Sequence, residues 1–289
     1  MITAWQTDTG RFASSEEVVP WWSVTKTVIA TACLRLAQKG QLDLNARLKG
    51  RAFCVADLLA HRAGVASYTG WAEYHRAVDA GGAAWRDDAV LAKAEAAGAD
   101  FEVGAGWSYS NTGYLIVRRI VEEVTSQPIE RALQDLVFAP LGLHSARIAR
   151  TEADLVGCKW LDGAGYDPKW VYHGLAVGTA AEACQFLHGI RAEGFLNPAR
   201  FAQMTDRIDL GGPIDGRPWQ TAGYGLGLMI GDMAEIGQAM GHSGNGPQSV
   251  CALYTMRAKN GLMTAAAFSD DDTEDACEWR VQQMVMSYG

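Results

Sequence analysis

Three short stretches of the chain gather residue types that could do acyl chemistry. Ser23-Val24-Thr25-Lys26 sets a hydroxyl and an amine three residues apart. On a helix that spacing puts both on one face, one turn apart. A helix beginning at Ser23 would add free backbone N–H groups and positive potential, which suit a nucleophile whose attack creates an oxyanion. A lysine desolvated there can lose its proton near neutral pH and act as a base. Tyr109-Ser110-Asn111 follows a glycine-rich loop. A phenol beside an ammonium has its pKa lowered and can relay protons, and the Asn111 amide can hold a substrate carbonyl or order Lys26. Gly241-His242-Ser243-Gly244-Asn245-Gly246 reads as a glycine-rich connection between two strands. Glycine there permits close backbone approach to a ligand, and the Asn245 N–H can join that of Ser23 as a second oxyanion donor. Each stretch has a plain counterpart. S-x-x-K arises by chance about once in a chain of this length, a Ser or Asn can simply cap a helix, and glycines make turns. Only the combination points to a serine nucleophile.

These groups need elements to carry them. Residues 2 to 13 alternate as a hairpin around Thr9-Gly10. Val28, Ile29, Ala32, Cys33 and Leu36 recur at helical spacing after Ser23, and Gly40 stops that helix. A second short helix spans 55 to 62, and others span Thr112 to Ser126, Pro128 to about Phe138, Ala181 to Ala192 and Pro198 to Thr205. Residues 150 to 178 look irregular. Apolar β-prone runs at 224 to 231, 248 to 256 and 262 to 269 then suggest antiparallel neighbours, and Thr273 caps a last amphipathic helix. The expected fold is α+β, an α/β/α sandwich. One domain spans 1–289, with an antiparallel sheet from both chain ends flanked by helices and a mostly helical lobe inserted at about 50–205. The site then falls in the cleft between sheet and lobe.

Composition narrows the chemistry. A net charge of -8 and the absence of a basic stripe argue against nucleic acid as a partner. Residues 1 to 20 lack the features of a signal peptide and no run is long enough for a membrane span, so a cytoplasmic location is expected. The six cysteines are scattered among apolar residues and read as buried free thiols. His75, His144, His173 and His188 form no metal-binding pattern, and Asp270 to Asp272 read as a solvated turn, so neither a metal nor a cofactor is expected. His61, at a helix end near Gly64, reads as structural. Trp71 and Trp107 are candidates to touch substrate.

The ordered set resembles the serine β-lactamase and penicillin-binding-protein superfamily, whose class A members carry S-x-x-K, S-D-N and K-T-G. Here the second and third elements read Y-S-N and H-S-G. They resemble the class C-like branch, which includes D-alanyl carboxypeptidases, D-aminopeptidases and related esterases. Asp57-Leu58-Leu59-Ala60-His61-Arg62-Ala63-Gly64, Tyr109 to Tyr114, Phe138-Ala139-Pro140-Leu141-Gly142-Leu143 and Tyr224-Gly225-Leu226-Gly227 are similar to its other conserved stretches and follow in its order, over about residues 15 to 270. Val103 stands where the family usually has proline, the N-terminal strands are short, and His242 replaces the lysine of K-T-G. A histidine of ordinary pKa is mostly neutral at pH 7, so it anchors a carboxylate poorly.

The resemblance implies a serine hydrolase. Ser23 would be the nucleophile, Lys26 and Tyr109 the proton-handling pair, and Asn111, His242, Ser243, Gly244 and Asn245 would bind substrate. His242 or Ser243 would assist Tyr109 in protonating the leaving group. The substrate would be a small ester, amide or lactam. The alternative is a catalytically silent binding protein on the same fold, which the presence of Ser, Lys and Tyr together disfavours. An α/β-hydrolase reading of Gly241-His242-Ser243 fails, because Asn245 stands where the elbow needs glycine and no histidine follows Ser243.

Overall fold

The computed structural model of the protein describes residues 1–271 and 273–288. At its centre lies helix α1 (Val24–Gln38). Every residue of α1 except Arg35 and Gln38 is buried, so the helix is surrounded rather than laid on a surface. The stripe expected from Val28, Ile29, Ala32, Cys33 and Leu36 is extended by Thr25, and Thr27 and Thr31 are buried on another face. Such buried hydroxyls need partners. Thr27 Oγ1 donates to the Gly227 carbonyl at 2.7 Å, Thr31 Oγ1 to the Thr27 carbonyl at 2.8 Å, and Thr25 Oγ1 accepts from the Ala176 N–H at 3.0 Å. Gly40, at φ +70°, ends the helix as expected.

The main sheet is built from the two ends of the chain. Its strands are β1 (Ile2–Thr7), β2 (Arg11–Ala13), β6 (Ile208–Gly211), β7 (Trp219–Tyr224), β8 (Met229–Met233), β9 (Gly237–Gly246), β10 (Ser249–Ala258) and β11 (Gly261–Ser269). Their order is β2-β1-β11-β10-β9-β8-β7-β6, with antiparallel neighbours throughout. Strands β3 (Val18–Pro20), β4 (Arg147–Ala149) and β5 (Leu175–Thr179) form a second small sheet, β3-β5-β4. The remaining helices are α2 (Val55–Leu59), α3 (Ala72–Asp79), α4 (Asp87–Ala97), α5 (Asn111–Thr125), α6 (Ile129–Leu133), α7 (Ala180–Gly189), α8 (Pro198–Thr205) and α9 (Asp275–Ser287).

Alternation along the strands divides the interior in two. Cys251, Leu253, Ala266 and Phe268 join the core that holds α1 and α7. Their strand neighbours Val250, Ala252, Tyr254, Ala265 and Ala267 join the core under α9. The α+β sandwich expected from the sequence is therefore the observed one.

Three details differ from expectation. The apolar run 224 to 231 is two strands, not one. It breaks at Gly225 to Leu228 because the chain there touches α1, and a β-carbon on Gly227 would stand 2.5 Å from the Ala30 methyl. The irregular stretch 150 to 178 ends in β5, the middle strand of the small sheet. Gly241 to Gly246 is not a connection but the second half of β9, and Pro247-Gln248 makes the two-residue turn, with Gln248 at φ +66°. Of the acidic run 270 to 272, Asp272 lies outside the described residues. No helix among the described residues is long and apolar enough to cross a membrane.

Candidate active site

Ser23 stands at the N-cap position of α1 without a side-chain capping bond and is half-buried, while Lys26, one turn on, is fully buried. The preceding Trp22 adopts φ +41°, a costly conformation for a bulky residue, and its indole N–H donates to Ser249 Oγ at 2.9 Å. The chain is thereby turned so that the Lys26 amine reaches back to Ser23, with Nζ 3.2 Å from Oγ. Among the described residues Lys26 forms no ion pair. Burial without a compensating anion holds its pKa well below the ordinary lysine value. The amine sits over two phenol rings, 4.8 Å from the centroid of Tyr109 and 5.6 Å from that of Tyr114.

Tyr109 is held by the start of α5. Ser110 is the cap, its Oγ accepting from the Gly113 N–H at 2.9 Å, and the Ser110 N–H donates to His61 Nδ1 at 3.0 Å. The His61 ring, buried in a turn at φ +59°, packs 4.4 Å from the Tyr109 ring. His61 thus fixes the loop that presents the phenol, in line with the structural role read from the sequence. The expected lowering of the phenol pKa is overturned. Burial raises it, and the Ser23 hydroxyl opposes this only in part. Burial disfavours the charged form of the amine beside the phenol, and the lowering expected from an adjacent ammonium does not outweigh the burial of the phenol itself. Asn111 donates from Nδ2 to Thr69 Oγ1 at 3.1 Å and lines the pocket in front of Ser23.

The period of two along β9 sorts its residues. His242 stands opposite Leu253 and shares the α1 face, with its Nε2 2.9 Å from the Tyr224 hydroxyl. Burial first, and then the proximity of Lys26, push its pKa down to about 3, so the ring is neutral. Ser243 stands opposite Ala252, on the other face. Its hydroxyl bonds Tyr254, at 2.7 Å, and the Glu278 carboxylate of α9. The Ser243 side chain is therefore turned away from Ser23, and the expectation that it meets substrate or helps protonate a leaving group is corrected. Gly244 returns to the site face, where a β-carbon would stand 2.9 Å from the Ser23 amide nitrogen and 2.8 Å from Trp22 Cβ. Glycine here lets the strand run alongside the Ser23 N–H. Asn245 follows and lines the pocket.

That pocket, about 80 Å³, is walled by Ser23, Trp22, Tyr68, Thr69, Tyr74, Asn111, Tyr166, Val171, His173 and Asn245 to Pro247, with no Asp, Glu, Lys or Arg. A larger groove of about 640 Å³, between residues 47 to 53 and α4, contains none of the candidate catalytic residues. Sequence reasoning set His173 aside as no metal ligand. Its Nε2 lies 3.3 Å from Lys26 Nζ, across 147 positions of sequence. No spacing signal could have found it, since it sits in a glycine-rich segment without periodicity. Trp107 joins the ring cluster, 5.8 Å from Tyr224 and 6.5 Å from Tyr109. Trp71 lies under Lys93, 4.9 Å from its amine, and neither tryptophan is among the pocket residues. No group of three or more His, Cys, Asp or Glu among the described residues could hold a metal.

Comparison with known proteins gives a consistent neighbourhood. The family described as Beta-lactamase matches residues 3–284. "Penicillin-binding protein 4" of Amycolatopsis lactamdurans is 30% identical over 274 residues, covering 82% of this chain and 68% of that protein. "Esterase EstB" of Burkholderia gladioli is 29% identical over 161 residues, covering 49% of this chain and 41% of that protein. Among solved structures, a D-stereospecific amidohydrolase from Streptomyces sp. superposes with a TM-score of 0.77 at 20% identity, covering 100% of this chain and 94% of that one. At that identity the likeness is one of fold.

Proposed function

The chain belongs to the Beta-lactamase family, and from that premise we propose that it is a serine hydrolase that forms an acyl-enzyme on Ser23 and cleaves small, uncharged esters or amides. The observation that carries the reading is the 3.2 Å contact between the Ser23 hydroxyl and a buried lysine amine without a counter-ion. A protonated lysine could not take the serine proton. A desolvated neutral one can.

In the proposed reaction Lys26 Nζ accepts the Ser23 proton as Oγ bonds to the substrate carbonyl carbon, and the carbonyl π electrons move onto oxygen. The Ser23 N–H and the Asn245 N–H of β9 stabilise that oxyanion. The proton passes from Lys26, through the Tyr109 phenol, to the leaving oxygen or nitrogen as its bond to carbon breaks. Tyr109, with its raised pKa, serves as a neutral O–H that receives one proton while giving another. Water then repeats the sequence on the acyl-enzyme, and Ser23 leaves with its proton restored.

The charge-free pocket wall and the neutral His242 support uncharged substrates. A penicillin carboxylate would find no cation there, and a free amino-acid amide would find no carboxylate for its ammonium. A panel of p-nitrophenyl acetate and butyrate, nitrocefin and D-alanyl amides tests this, together with fluorophosphonate labelling read by mass spectrometry. Ester turnover with the adduct on Ser23 is expected. Retained turnover in Ser23→Ala would overturn the assignment, and no adduct on the folded protein would favour a silent binding protein.

A further inference from the structure

His173 is buried beside Lys26 and takes no part in the mechanism above. It is 2% exposed, follows Tyr172 and precedes Gly174, and lies just before β5. Its Nε2 is 3.3 Å from Lys26 Nζ. Its other ring nitrogen, Nδ1, is buried and has no hydrogen-bond partner among the described residues. The amine is thus the one polar group this imidazole engages. A buried ring that leaves one nitrogen unsatisfied gives up free energy for its place. Packing alone would be served as well by an apolar side chain of that size.

The valence of the amine shows what the contact can do. Neutral Lys26 has two N–H bonds and one lone pair, and its polar contacts are Ser23 Oγ and His173 Nε2. Attack by Ser23 requires that the lone pair face the hydroxyl. An N–H must then go to the other partner, which has to be an acceptor.

We propose that His173 is a positioning residue for Lys26: Nε2 accepts a hydrogen bond from the amine, turns its lone pair onto the Ser23 hydroxyl, and stabilises the ammonium once the serine proton has moved. The inference rests on the serine-hydrolase reading. It places the ring in its Nδ1–H form. When Oγ gives up its proton to Nζ and bonds to the carbonyl carbon, the new ammonium donates to Nε2, so the contact strengthens as charge develops.

The ring must stay neutral for this. The groups facing the pair are Tyr109 from the loop before α5, Tyr114 and Arg118 from α5, His61 from the turn after α2, His242 from β9 and Tyr224 from β7. None supplies an anion, since burial raises the three phenols, while Arg118 is engaged by Asp87 and Glu122. Burial, then Lys26 and these other basic neighbours, hold the His173 pKa well below the ordinary value.

An acceptor on the amine favours its charged form, so removing it makes Lys26 a weaker base. His173→Phe keeps the volume and removes the acceptor. In p-nitrophenyl acetate hydrolysis its kcat/KM plateau should fall about tenfold or more, and its acid limb should move to lower pH. His173→Gln, whose amide oxygen can accept, should recover part of both, and near-UV circular dichroism checks the fold of each. Should Phe not be accommodated, His173→Met is read in its place. A folded variant with the wild-type plateau and limb, or one whose plateau falls while the limb stays, would overturn the inference. If the wild-type protein itself takes no fluorophosphonate on Ser23, the hydrolase reading fails instead.

Discussion

At the scale of single residues, the site is an assembly of basic groups without an acid. Lys26, His61, His173 and His242 are each 0 to 2% exposed, and burial depresses the pKa of all four. The unfolded chain would bind the three histidine protons below about pH 6.5, whereas the folded chain keeps the rings neutral to lower pH. Unfolding therefore takes up protons, and stability should fall as pH drops below about 6.5. For His242 the fall continues to about pH 3. Each proton taken up contributes a slope of about 1.4 kcal/mol per pH unit. Urea midpoints measured from pH 8 to pH 4 would show it, and a flat dependence would contradict a neutral cluster. Lys26 obeys the same logic at higher pH, since a neutral buried amine costs stability wherever the unfolded lysine is charged. Lys26→Met should abolish acylation while raising Tm, by about 2–4 °C for each kcal/mol relieved. A lower Tm would mean the amine is paired and charged.

At the scale of elements, what was legible followed periodicity. Helices α1 and α5 were readable because their apolar residues repeat at 3.6, and strands β10 and β11 because they are unbroken apolar β-prone runs bounded by turn residues. The second half of β9 was not. Its glycines look like a turn, yet Gly241 is crowded by Leu253 and Tyr254 of β10, Gly244 by Trp22 and the Ser23 amide, and Gly246 by the Trp22 ring. His173 was unreadable for a different reason: its meaning lies in one contact with a residue 147 positions away. Ser23, Lys26, Tyr109, Asn111, His242, Gly244 and Asn245 are brought together on the site side. The Ser243 side chain is not, because a reading that took the stretch as a loop had no alternation to apply. The close approach makes a prediction. Gly244→Ala would push its methyl against the Ser23 N–H and Trp22. The kcat for ester hydrolysis should drop about 10²–10³-fold, as for loss of an oxyanion donor, with Tm much less affected. Unchanged turnover would separate β9 from the oxyanion.

At the scale of the molecule, the site depends on a sheet closed by distant parts of the chain, and the back of that sheet is pinned by charge. Glu278 of α9 is fully buried and engages Arg217, just before β7, together with Ser243 of β9 and Tyr254 of β10. Removing one member of a buried pair strands the other and typically costs about 3–5 kcal/mol. Glu278→Ala should therefore lower stability by about that much in denaturant melts, while the folded fraction retains Ser23 labelling. A loss below 1 kcal/mol would show that water screens the pair.

The near-complete enclosure of α1 carries a consequence for how this protein breathes. Amides in a helix packed on every side have no local route to solvent, and exchange only when the whole domain opens. Deuterium uptake along 27 to 37 should then track the global unfolding free energy, with the surface helix α4 exchanging by smaller openings. Any adaptation to a new substrate would have to come from the rim of tyrosines and loops, because the nucleophile's own scaffold cannot shift without taking the rest of the core with it.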